Sequence, residues 1–316
     1  MAAKSVRKVE DAVQQLGYVR NLSAARLSKN NPQKLAFVLP HRGHAFFDRM
    51  HAQLARAQPH LKRAQILSDV IEFEAFGDGA LEAALTGLLG QGYGGIAFVG
   101  QGSVDVSNAL SALRRDGAKV VSLVSDSAFE SRDYYIGIDN IKAGRTAARL
   151  VGMAHRGAAG RVILAVGSLD VRDHFDRVTG FKDVLKTDFP HVEVVDVVET
   201  KDQSASMRSG LRAALGNHSG MTAIYNAGAG NEGLVDVLGD PDLASSLFCV
   251  VHELSSVTRA ALESGVIDIA IDQRPEIEVN RAVALLQAVV DELPPPPSPE
   301  LIPAIYVRDN IPNDPF

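Results

Sequence analysis

The chain has 316 residues, 46% of them hydrophobic and 22% charged, with a formal net charge of -6. That length and apolar share suit one large or two smaller well-packed lobes, and the acidic balance excludes a general basic surface for nucleic acid. The single cysteine, Cys249, excludes an intramolecular disulfide and reads as a core residue.

The front of the chain, Arg7 to Pro40, concentrates positive charge in Arg7, Lys8, Arg20, Arg26, Lys29 and Lys34. Val9, Ala12, Val13 and Leu16 make one apolar helical stripe, and Gly17 follows where a C-terminal cap sits. A short helix over Leu22 to Ser28 then leads through Lys29-Asn-Asn-Pro32 to the first strand. Taken alone, this order also fits an ordinary N-terminal helix and linker.

From Leu35 onward, β-branched runs alternate with amphipathic stretches. Strands are predicted at 35–39, 65–70, 95–99, 119–124, 161–166, 192–198, 222–226, 247–251 and 267–271. Helices are predicted at 46–57, 73–89, 104–116, 141–155, 174–187, 204–215, 231–238, 255–263 and 276–292. Continuous apolar strands separated by helices indicate parallel sheets covered on both faces, so the class is α/β, doubly wound.

So many strands exceed one comfortable open sheet, and Arg156-Gly-Ala-Ala-Gly160 is a glycine-rich break near the middle. The division expected is a front segment at 1–31, a first lobe at 32–157 joined by about 274–293, and a second lobe at 158–273 joined by about 300–316. The run Pro294 to Pro299 is stiff and extended, and the tail returns through Ala304-Ile-Tyr-Val307. Two lobes joined by several crossings leave a cleft at the carboxyl ends of the strands, where such sheets bind small ligands.

The loops at those strand ends carry polar and aromatic residues: Phe46 and Phe47, Gln101, Asp126, Asp139, Arg177, Tyr225, Asn226, Glu253 and Gln273. Each has a plain structural reading. The adjacent phenylalanines fit a helix core, Arg177 a solvated helix face, and Asp139 a helix cap. It is their convergence on strand ends that points to a ligand.

Other chemistries leave weaker marks. Gly228-Ala-Gly230-Asn-Glu-Gly233 spells a dinucleotide fingerprint, with Glu253 at the following strand end, and makes an NAD-dependent enzyme the rival reading. That fingerprint usually occupies the first βαβ unit, whereas here it lies deep in the chain, and no Cys, Lys or His-Asp pair presents itself as a catalyst. His41-x-x-His44 lacks a third spaced ligand, so no metal is expected. An enzyme is not indicated, and no cofactor is expected.

Three stretches resemble the lactose-repressor (LacI) family of bacterial transcription regulators: Leu16-Gly17-Tyr18 with Asn21, Ala24 and Leu27; Gly137-Ile-Asp139-Asn140 with Ala143-Gly144-Arg145; and Arg177-Val-Thr-Gly180-Phe181. The resemblance implies two lobes of the kind also found in bacterial sugar-binding transport proteins, with a sugar or polyol effector between them. It assigns ring stacking to Phe46, Phe47 and Tyr225, and grip on ligand oxygens to Arg177, Glu253 and Gln273. Asn21, Ala24, Arg26 and Leu27 become the DNA-contacting hinge, in a homodimer that binds operator DNA in the full-length protein. Met1 to Val6 is too short for a helix-turn-helix, so the DNA-reading head is expected to be largely missing. No apolar run approaches a membrane span and no signal-peptide pattern opens the chain, so the expectation is a cytoplasmic regulator without membrane contact. The other function expected for this architecture is the solute-binding receptor of a sugar importer.

Overall fold

The computed structural model describes residues 32–239, 243 and 246–313. The front helix and the hinge residues Asn21, Ala24, Arg26 and Leu27 lie outside them. Two α/β lobes are present, each a mainly parallel sheet flanked by helices, as expected.

The first sheet has five strands in the order β2-β1-β3-β4-β5. They are β1 (Gln33–Pro40), β2 (Ile66–Phe73), β3 (Gly95–Val99), β4 (Lys119–Leu123) and β5 (Tyr134–Ile136), all parallel. Central β3 is buried along its whole length, whereas edge strand β2 alternates and exposes Leu67 and Val70. These are the burial patterns of a strand covered on both faces and of one at a margin. Helices α1 (Ala45–Arg63), α2 (Ala80–Thr86) and α3 (Val104–Arg115) cover the sheet.

Several elements differ from the predicted spans; α1, for one, runs past its predicted end at Ala57, through Pro59, to Arg63. The stretch from Phe73 does not begin a helix: β2 runs on to a buried Phe73 paired with Pro40, and Gly79, at φ 69°, delays α2 to Ala80. Strand β5, three residues long, escaped periodicity because its partner β4, not its own pattern, defines it.

The second sheet has six strands in the order β11-β10-β9-β8-β6-β7. In chain order this lobe holds α4 (Asn140–His155), β6 (Gly160–Val166), α5 (Arg172–Asp188), β7 (Val192–Glu199), α6 (Ser204–Asn217), β8 (Ala223–Asn226), α7 (Asn231–Leu238), β9 (Phe248–His252), α8 (Ser256–Ser264) and β10 (Ile269–Asp272). Helix α9 (Pro275–Val290) then returns to the first lobe, where Val279, Val283 and Leu286 join its core, and antiparallel β11 (Ala304–Tyr306) closes the second sheet. Packing assigns α4 to the second lobe, since Ala147, Ala148 and Val151 share a core with Val162 and Phe181. The sequence reading had ended the first lobe after it, at residue 157.

Three connections cross between the lobes, at 137–139, 273–274 and 291–303, and a bridge of Ile138 with Leu301 ties two of them together. Glycine sets how closely α4 and α5 approach. A Cβ on Gly144 would lie 1.9 Å from the carbonyl oxygen of Arg177, and one on Gly180 2.2 Å from that of Ile141. Both glycines belong to the stretches that carried the resemblance, and both let two backbones touch.

Candidate ligand site between the lobes

The carboxyl ends of β1, β3 and β4 face those of β6, β7, β8 and β9 across a cleft. Its larger chamber, about 290 Å³, has Phe47, Phe73, Phe76 and Gln101 on the first-lobe side and Asp173, His174, Lys201 and Asp202 on the other. A smaller chamber of about 130 Å³ continues it past Gly43, His44 and Phe46 to Asn231, Glu253 and Ser255. Gly43, His44 and Asp202 line both, so the two are one cleft.

Arg177 is 2% exposed on α5. Its Nε donates to Asn140 Oδ1 at 2.9 Å and its Nη1 to the Ala227 carbonyl at 2.8 Å, while Nη2 has no hydrogen-bond acceptor among the described residues and lies 3.5 Å from Asp173. Asn140 in turn donates to the Val124 carbonyl of the first lobe, so Arg177 is aimed by a residue that spans the crossing. Burial by itself would raise the Asp173 carboxyl, but His174, Arg177 and the Ser125 hydroxyl together hold it below its ordinary value.

Glu253 and Gln273 stand together at the tips of β9 and β10. Gln273 Nε2 donates to Glu253 Oε1 at 2.7 Å, leaving Glu253 Oε2 and Gln273 Oε1 without hydrogen bonds among the described residues. Burial, then the charge of Asp272, pushes Glu253 up to about 8. Two strand ends on the cleft carry non-glycine residues in the left-handed region, namely Val124 (φ 62°) and Glu253 (φ 70°). Such backbone costs about 1–3 kcal/mol each and collects at functional sites.

The remaining expected residues divide. Phe47 is half-buried against the larger chamber, and Gln101 faces it as well. Phe46 is a core residue, 2% exposed, whose edge reaches the smaller chamber. Asp139 caps α4 by accepting from Lys142 N at 3.0 Å and borders a separate surface pocket, as does Asp126, which is held by Arg132 at 2.5 Å. Tyr225 is fully buried, stacked on Phe181 with centroids 4.6 Å apart and bonded to His252 at 2.9 Å, so it is a floor beneath the site and not a stacking face. Asn226 is spent on its own loop, bonding Ala229, Asn231 and Gly228.

The glycine fingerprint is likewise structural. Gly233 admits the carbonyl of Ser204, and the Ala229 N–H that would meet a phosphate already donates to Asp202 at 2.8 Å. A carboxylate there repels a pyrophosphate. His41 bonds Glu72 and His44 packs on Phe47, and among the described residues no group of three or more candidate ligands is placed to hold a metal.

Sequence reasoning missed Arg49, Asp173, His174, Asp202 and Glu278. Arg49 of α1 reaches across to Asp272 at 2.6 Å and Glu276 at 2.7 Å, and its Nη1 lies 3.7 Å from Glu253. Glu278 is wholly buried on α9 in line with Ala282 and Leu285, and an acid on that apolar stripe was the available signal.

Comparison with solved structures gives the same architecture. A solute-binding protein of an ABC transporter from Burkholderia graminis, in complex with D-arabinose, superposes with a TM-score of 0.80 at 23% identity, over 88% of this chain and 96% of the other. A glucose-galactose binding protein from Geobacillus stearothermophilus matches with a TM-score of 0.80 at 18% identity, over 89% and 99%. A solute-binding protein of an ABC transporter from Agrobacterium vitis, bound with α-D-tagatopyranose, matches with a TM-score of 0.79 at 17% identity, over 90% and 97%. No curated protein sequence matches. The family model described as a periplasmic binding protein domain matches residues 35–293.

These findings correct part of the expectation from sequence. The reading as a cytoplasmic, homodimeric, DNA-binding repressor gives way, because the matching family is that of periplasmic binding domains and these neighbours are solute-binding proteins. The physical reason for the error is that the lobes and their glycine contacts serve one fold across both groups, so they could not separate them. The family consists of binding domains, and this chain is a binding protein and not an enzyme. With the family model covering both lobes from the first strand to the end of α9, the chain belongs to the periplasmic binding protein domain family.

Proposed function

We propose that this protein is a solute-binding receptor for a sugar or polyol, held between the lobes and delivered to a membrane importer outside the cytoplasm. The observation that carries the reading is the unlike character of the two sides of the larger chamber: aromatic rings at Phe47, Phe73 and Phe76 on the first-lobe side, and the polar groups of Asp173, His174, Lys201 and Asp202 on the other. A sugar has both faces, C–H surfaces for rings and hydroxyls for charged hydrogen-bonding groups. The sugars named for the structural neighbours support the same class. Ligand stabilises whichever closure of the lobes it binds better, and only by that difference.

A thermal-shift panel of pentoses, hexoses and polyols tests this. At saturating ligand, a sugar present at a hundred times its Kd should stabilise the fold by about 2.7 kcal/mol. Absence of any shift across the panel, with a correctly folded protein, removes the reading.

A further inference from the structure

The two chambers of the cleft are each equipped for a sugar ring. The larger sets Phe47, Phe73 and Phe76 against Asp173 and Asp202, and the smaller sets the edge of Phe46 against Glu253, Asn231 and Ser255. Each pairs an aromatic surface with a carboxyl group, the combination that takes a sugar's C–H face and its hydroxyls. In the smaller chamber Glu253 Oε2 is unspent, since it makes no hydrogen bond among the described residues.

His44 and Asp202 stand where the chambers join, one from each lobe. Asp202 accepts from the Ala229 N–H at 2.8 Å through one oxygen, and both buried ring nitrogens of His44 lack a hydrogen-bond partner among the described residues. Buried polar atoms in that condition call for a partner. A ligand lying in both chambers passes between these two side chains and brings hydroxyls to them.

Size makes the same point. With roughly half of a water's ~30 Å³ for each bonded heavy atom, a twelve-atom hexose fills about 180 Å³ and a twenty-three-atom disaccharide about 345 Å³. The larger chamber, about 290 Å³, more than holds one hexose, and the smaller, about 130 Å³, then stays empty beside it. A disaccharide is too large for the first chamber alone and fits within the two together. Filling both gains the dispersion contacts that an empty chamber forgoes.

Resting on the sugar reading above, we propose that the ligand is a disaccharide, with one ring in each chamber and the glycosidic bridge between His44 and Asp202.

Calorimetry on the wild-type protein tests this, with maltose, cellobiose, lactose, melibiose and xylobiose set against D-glucose, D-galactose, D-xylose and D-arabinose. At least one disaccharide should bind about tenfold or more tightly than every monosaccharide, a difference of about 1.4 kcal/mol. Ala45 is exposed and lines the smaller chamber, so Ala45→Leu narrows that chamber and should lower the affinity for the same disaccharide about tenfold. Unchanged affinity in the folded variant overturns the placement of the second ring, and the wild-type comparison decides the matter if the variant does not fold. A monosaccharide that binds as tightly as every disaccharide overturns the inference and leaves the sugar reading intact. Silence from every sugar, single or double, overturns both.

Discussion

The two walls of the cleft are built on opposite principles. The first-lobe wall carries the aromatic rings, with Phe47, Phe73 and Phe76 at strand ends and helix starts among smaller polar groups such as Gln101. The second-lobe wall, with Glu278 of the returning helix behind it, holds buried acids and bases whose charges depend on each other. An aromatic ring can be removed from the first with local consequences, because its contacts are dispersive and additive. A charge cannot be removed from the second in isolation, because each group is what makes its neighbour's burial tolerable.

That contrast can be broken experimentally, and the largest effect is expected at Arg177. Arg177→Ala strands a buried Asp173 and the Asn140 amide, and should cost about 3–5 kcal/mol in denaturant unfolding as well as the ligand-induced thermal shift. Loss of ligand response at unchanged stability would show the cluster to be less interdependent than drawn. Gly144→Ala drives a methyl into the Arg177 carbonyl and should cost about 1–3 kcal/mol, whereas Gly216→Ala meets nothing within 4 Å and should be neutral or slightly stabilising. Equal melting temperatures for these two would disprove the close approach of α4 and α5.

On the first-lobe wall, Phe47→Ala should weaken sugar binding by about 1–2 kcal/mol in calorimetry while moving the unfolding midpoint less than Arg177→Ala does.

A further effect is a dependence on pH. An unfolded glutamate loses its proton near 4.5, whereas folded Glu253 keeps it to about 8. The stability gained from that retained proton is complete below 4.5 and fades as pH rises through about 8. His252 runs the other way: burial keeps it neutral, so its contribution is lost as pH falls below 6.5. The melting temperature should therefore decline between pH 6.5 and 8.5, and Glu253→Gln should flatten that decline. An unchanged slope in the variant would assign the decline to other groups.

Much of the frame was legible from residues alone, because hydrophobic period and helix-stop residues are local properties. The strand runs from Leu35 to Ile271 and their helices follow from apolar spacing; Glu253 was marked by sitting just past a strand, and Arg177 by the stretch that carries the family resemblance. Other assignments failed for equally physical reasons. Asp126 and Asp139 look like ligand groups until Arg132 and the α4 backbone are seen to hold them, and Tyr225 looks like a stacking face until Phe181 covers it. Arg49 gave no local sign, since its partners Asp272 and Glu276 are more than 220 residues away in the chain.

Sequence by itself settled the alternation of strand and helix, and with it the α/β class, because side-chain periodicity acts within a few residues. Which strand ends face one another, which carboxylates share an arginine, and which glycines press backbone to backbone were decided only by the folded chain. Those properties arise from distances between residues that the sequence keeps far apart, and burial turns each such distance into an energy.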